Sequence, residues 1–180
     1  MIRLFVGIAL PPEVRRYLLA LQSGIRGARW QRDDQLHLTL KFIGEVEETT
    51  ADDIDAALSA IDAPAFPLAV EGAGVFGPPK APRMLWAGVS PKDSVVHLHD
   101  KIEAALARIG MPAEERKFTP HITLARLSNG RAGAAGVAAF LAAYSGLKTP
   151  PFMVEEYLLY SSKMSENGSF YRIEARYPLR

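Results

Sequence analysis

Leu36-His37-Leu38-Thr39-Leu40-Lys41-Phe42-Ile43-Gly44 and Phe118-Thr119-Pro120-His121-Ile122-Thr123-Leu124-Ala125-Arg126 share one pattern, His-x-Thr-x, in largely apolar surroundings. Successive side chains of an extended strand alternate between its faces. Each histidine therefore points the same way as the threonine two residues on, and Leu38 or Ile122 between them points oppositely. The pattern predicts two half-buried strands, each offering one imidazole and one hydroxyl to a common surface. Two such strands side by side would gather two histidines and two threonines around one small volume.

Outward from these strands the chain punctuates itself. Residues 2 to 10 read as a core strand, and Pro11-Pro12 opens a helix through Val14, Leu18, Leu19 and Leu21 that ends near Gly24 or Gly27. Thr50 to Ile61 is an amphipathic helix and Phe66 to Phe76 a strand. Gly72, Gly74, Gly77 and Pro78-Pro79 mark a bulge and then a loop, and Arg83 to Val89 resumes strand character. Val95 to Ile109 and Arg131 to Tyr144 read as helices, Phe152 to Tyr160 as one strand, and Asn167-Gly168 as a hairpin turn into Tyr171 to Tyr177. Strand, helix, His-x-Thr-x strand, helix and long strand thus occur over residues 2 to 76 and again over 83 to 161, with Arg3 and Arg83, His37 and His121, and Phe66 and Phe152 in corresponding places. Related halves usually pack about a pseudo-two-fold axis, where equivalent positions converge. The expectation is a single bilobal domain over residues 1–180.

Composition bounds what such a domain can do. A chain of 180 residues with 48% hydrophobic content suits one buried core. Lys plus Arg number 21 against 20 Asp plus Glu, so any attraction to nucleic acid must be local. With no cysteine there is no disulfide, thiolate nucleophile or cysteine metal site, which fits a reducing compartment. The apolar start stops at Pro11-Pro12, too short to span a membrane and without a signal-peptide ending. A cytoplasmic monomer is expected.

Two imidazoles with an unperturbed pKa near 6.5 can serve as acid and base together, which suits chemistry on a phosphate ester. Thr39 and Thr123 can donate to phosphoryl oxygens as charge builds. Other features read as structure. His97 and His99 lie at i and i+2 on a predicted helix, nearly opposite each other, so they read as surface residues and not as a metal site. Gly72-Ala73-Gly74 with Gly77 lacks the spacing of a dinucleotide loop.

The two motifs, together with Arg3-Leu4-Phe5-Val6, Gly44-Glu45-Val46 and Pro82-Arg83-Met84-Leu85-Trp86-Ala87-Gly88-Val89, make the chain resemble, over nearly its whole length, the bacterial and archaeal RNA 2′,3′-cyclic phosphodiesterases of the two-histidine phosphoesterase superfamily, also known as 2′-5′ RNA ligases. The resemblance implies an α+β fold of two lobes, each an antiparallel sheet backed by helices, with both motifs lining the cleft between. It also implies cofactor-free, metal-independent opening of a terminal RNA 2′,3′-cyclic phosphate to a 2′-phosphomonoester. His37 would be the proton donor, His121 the proton acceptor, and Thr39, Thr123 and Arg126 the phosphate ligands. The residues themselves do not order the two histidine roles. On an ideal strand Arg126, five residues after His121, faces away, so only a bulge or the strand's end could turn it inward. Phe5 and Phe42 are candidates for base contact, although aromatic residues such as these two and Trp86 are more often core than base platforms, and Lys80, Arg83 and Arg116-Lys117 could guide RNA into the cleft. Three rival functions remain: opening of a small cyclic nucleotide by the same four motif residues, non-catalytic binding of RNA ends in the cleft, and a metal protein built on His37, His121, His97 and His99. Reverse 2′-5′ ligation is permitted by microscopic reversibility.

Overall fold

A computed structural model of the chain describes residues 1–127 and 130–180. Nine strands and four helices follow one another as β1 (Ile2–Ala9), α1 (Pro12–Leu19), β2 (Ala28–Trp30), β3 (His37–Val46), α2 (Glu48–Ser59), β4 (Phe66–Phe76), β5 (Met84–Ser90), α3 (Lys92–Arg108), β6 (Ile122–Leu127), α4 (Gly130–Ala143), β7 (Phe152–Val154), β8 (Glu156–Ser165) and β9 (Gly168–Pro178), with a 3₁₀ turn at Asp33–Gln35 before β3. Pro12 sits in the first turn of α1, where a missing N–H costs nothing. That helix stops at Leu19, short of the expected glycines.

All strand pairs are antiparallel, and they run in the order β7-β4-β5-β6-β3-β1-β8-β9. The α+β class is as expected, but the two separate sheets are replaced by one continuous, curled order. Its two groups of four strands meet at a single register pair, Leu38↔Ile122 between β3 and β6. Beyond that pair β2 takes over the same edge of β6, from Trp30↔Ala125 to Ala28↔Leu127. The apolar faces of the strands and helices share one core, in which Leu38, Leu40, Ile122 and Leu124 meet Leu98, Ile102 and Leu106 of α3, all 2% exposed or less.

Two other expectations are corrected. The single strand over Phe152 to Tyr160 breaks at Glu155: β7 pairs with β4, whereas β8 pairs with β1. Sequence alternation continues through Glu155 and cannot reveal that the flanking segments have different partners. The β8–β9 turn is centred on Glu166-Asn167, one residue early, with Gly168 at φ 98° opening β9. Asn167 has negative φ, so the glycine alone supplies the left-handed residue that brings the strands back into register. Among the described residues no helix is long and apolar enough to cross a membrane.

Candidate active site

The Leu38↔Ile122 pair joins the second residue of one motif to the second residue of the other. Antiparallel pairing is locally two-fold symmetric, so the histidine of each motif lies toward the threonine of its partner, and the two histidines occupy diagonal positions. Such diagonals are roughly 7–8 Å apart in a ladder, room for one phosphoryl group between two rings.

Each imidazole is held from behind in the same way. His37 Nδ1 is 2.7 Å from the Gln35 carbonyl and His121 Nδ1 is 2.6 Å from the Thr119 carbonyl. Carbonyls only accept, so both neutral rings carry the proton on Nδ1 and leave Nε2 as the lone-pair nitrogen. The threonines differ in their partners. Thr39 Oγ1 is 2.9 Å from His37 Nε2 and donates to it in this tautomer, whereas the Thr123 hydroxyl points to the Met84 sulfur at 3.4 Å, a weak acceptor.

The surroundings of the two rings differ more. His37 is enclosed by Phe5 at 4.9 Å, by Tyr171 edge-on at 5.2 Å and by Tyr160 at 5.9 Å between centroids. Gly7 of β1 permits this closeness: a Cβ there would meet the Leu38 carbonyl at 2.8 Å and the His37 ring at 3.5 Å. Burial, reinforced by the positive charges of His121 and Arg126, lowers the His37 pKa to about 4 against the upward pull of the Gln35 hydrogen bond. His121 meets Phe76 edge-on at 4.9 Å and is lowered too, mainly by burial, with its bond to the Thr119 carbonyl opposing. Both rings are therefore neutral at pH 7 in the free protein.

A bulge follows each motif. The β1–β3 register jumps from Gly7↔Thr39 to Val6↔Lys41, leaving Leu40 extra, and the β5–β6 register jumps from Trp86↔Thr123 to Leu85↔Ala125, leaving Leu124 extra. Each extra residue reverses the phase of its strand. Phe42 and Arg126, both five residues after a motif histidine, consequently line the same cleft as Thr39 and His121, with Phe76, Arg83, Arg116, Lys117 and Phe118 on its walls. The cleft holds about 600 Å³, within the range of small-molecule and cofactor sites.

The remaining candidates separate. Phe42 is 53% exposed, with the Arg3 guanidinium 5.2 Å from its centroid, and is available for stacking. Phe5 is 4% exposed and stacked on Tyr160 at 4.8 Å, so it shapes the His37 cage and cannot serve as a base platform. Arg83 lines the cleft; Lys80 is exposed but does not. Trp86 packs on Phe76 at 5.4 Å and stands 6.2 Å from the His121 ring, paired with Thr123 across the β5–β6 ladder.

Sequence reasoning missed two groups. His97 is exposed as expected, but His99 is buried: its Nδ1 donates to the carbonyl of the bulged Leu40 at 2.7 Å, and its ring lies flat on Phe118 at 3.9 Å. A bulge leaves its extra residue outside the ladder, and a histidine from the helix behind supplies the partner. One side chain so braces both motif segments. Lys41 is the second, its side chain 4% exposed, its Nζ 2.7 Å from Glu103 and 3.1 Å from the Pro112 carbonyl. A lysine following His-x-Thr-x could have signalled a break in alternation, but its half-buried partner Glu103 is 62 residues away.

A family model described as LigT-like phosphoesterase matches residues 8–86 and 89–171, one motif in each. The chain is 32% identical over 190 residues to an RNA 2′,3′-cyclic phosphodiesterase of Thermus thermophilus, spanning 99% of this chain and 90% of that one. It is 27% identical to one of Archaeoglobus fulgidus over 94% of this chain and 96% of the relative. The crystal structure of Escherichia coli LigT complexed with 3′-AMP superposes with a TM-score of 0.78 at 27% identity, covering 99% of this chain and 98% of that one. With both motif strands inside the matched segments, the chain belongs to the LigT-like phosphoesterase family.

Proposed function

We propose that this protein hydrolyses the terminal 2′,3′-cyclic phosphodiester of RNA to a 2′-phosphomonoester, without a metal ion. The observation that carries the reading is the diagonal placement of two Nδ1-tethered histidines across the Leu38↔Ile122 pair. His121 Nε2 takes a proton from water as its oxygen bonds to phosphorus. The P–O3′ bond breaks on the far side, and His37 Nε2–H gives its proton to the departing O3′, leaving a 3′-hydroxyl. Thr39, Thr123 and the Arg126 fork hold the non-bridging oxygens. The same sequence, with a 5′-hydroxyl replacing water as the nucleophile and O3′ again departing, would form a 2′-5′ bond. Phe42 is the base platform in this reading, Arg83 and the outlying Lys80 steer RNA, and the enzyme works as a cytoplasmic monomer.

The same reading takes the chain as one domain made of an internal repeat, residues 2–76 and 83–161. Its support is topological. β3 and β6 correspond, as do β1 and β5, and the long strand of each half crosses to the other: β4 pairs with β5, and β8 with β1. The bulges at Leu40 and Leu124 correspond as well.

The test is an RNA oligonucleotide ending in a 2′,3′-cyclic phosphate, incubated in excess EDTA. A 2′-phosphate end is expected at an unchanged rate. Activity lost to EDTA and restored by a divalent ion would remove the two-histidine mechanism. Exclusive 3′-phosphate would reverse the roles of His37 and His121.

A pH dependence follows from the burial of both rings. Productive enzyme needs His37 protonated and His121 neutral, and both pKa values in the free protein lie below 6.5. Raising the pH therefore strips the acid early, and the alkaline limb of kcat/KM is expected below pH 6.5. The negative phosphate in the cleft favours the charged imidazolium, so the kcat profile should lie at higher pH than that of kcat/KM. Coincident profiles, with limbs at or above 7, would contradict this account.

A further inference from the structure

Directly across the sheet from Arg126 stands a second arginine, Arg29 of β2. Opposed residues of an antiparallel pair share a face, and like charges so placed repel. Ala28 and Trp30 on either side of Arg29 pack toward the core, which leaves Arg29 exposed on the face that carries Arg126. Among the described residues neither arginine has an acidic partner, which is also true of Arg3, Arg26, Arg83 and Arg108; what sets Arg29 and Arg126 apart is that they face each other directly across a strand pair. β2 also continues the edge of β6 that β3 occupies at Leu38↔Ile122, so Arg29 flanks Arg126 on the side of β6 that carries the His37 motif. A repulsive, uncompensated arginine pair at the end of an anion site is what a second anion would neutralise.

We infer that Arg29 binds the internucleotide phosphate next to the reacting end, so that the preferred substrate is an RNA strand and not a mononucleoside cyclic phosphate. The inference rests on the cyclic phosphodiesterase reading above. Arg29 contributes to binding a phosphate that takes no part in bond making or breaking, and its effect appears only on substrates that carry that phosphate.

The experiment compares wild type and Arg29→Gln on a dinucleotide with a 2′,3′-cyclic end and on a mononucleoside 2′,3′-cyclic phosphate. On the dinucleotide kcat/KM is expected to fall about tenfold, and the log–log salt slope to lessen by about 0.7, the loss of one single-strand phosphate contact. The mononucleoside, which lacks that phosphate, should change less than twofold. Relief of the Arg29–Arg126 repulsion should leave Tm equal or higher, which separates lost binding from lost folding. Equal losses on both substrates would assign Arg29 to the reacting phosphate, and no loss on either would make it a solvated cation; both outcomes overturn the inference. Wild type inert on both would remove the cyclic phosphodiesterase reading itself, a pattern distinct from either.

Discussion

His37→Gln and His121→Gln are each expected to lower kcat by about two to four orders of magnitude, because each removes one of the two proton transfers. Glutamine is chosen over alanine for a structural reason. The His37 ring fills the space between Phe5, Tyr160 and Tyr171, and truncation to alanine would add a cavity to the chemical loss. The glutamine amide can still donate to the carbonyl that now receives Nδ1–H, so a folded protein with bound substrate is expected. The double variant should lose less than the product of the single losses, since acid and base act in one step and either absence disables it. Single-turnover rates on a cyclic-ended RNA, read beside thermal melts, check this. A folded single variant with near-normal kcat would exclude that histidine from the chemistry.

Arg126→Gln should lower kcat/KM by roughly 10² to 10³, the range seen when one preorganised donor to a developing oxyanion is removed. Its guanidinium reaches the cleft only because Leu124 is bulged out of register, and it lines that cleft together with Thr39 and His121. Arg126→Lys should recover only part of the loss, because a point charge cannot reproduce the planar fork that spans two oxygens. The effect should fall on kcat as well as KM, since charge on those oxygens grows toward the transition state. A change in KM alone would mark Arg126 as a ground-state ligand, and wild-type values would place it outside the site.

Much of this site was legible in the sequence because strand alternation is a property of local backbone geometry. His37 with Thr39 and His121 with Thr123 share a face wherever the strands lie, and β4 was found at its observed ends, Phe66–Phe76. Partner choice is not local. The bulges at Leu40 and Leu124 arise from how β3 fits β1 and how β6 fits β5, and they alone bring Phe42 and Arg126 into the cleft. The break at Glu155 likewise exists because β7 and β8 pair with different strands. Burial followed the same division. Phe5 could be read as either platform or core until Tyr160 and Tyr171 closed over it, and His99 looked like surface until Leu40 and Phe118 enclosed it. The sequence by itself determined which histidines and threonines are candidates for the chemistry and that each histidine shares a face with its threonine. Only the tertiary structure decided which faces meet, how deeply each imidazole is buried and so how weakly it holds a proton, because burial and register depend on atoms far away in the chain.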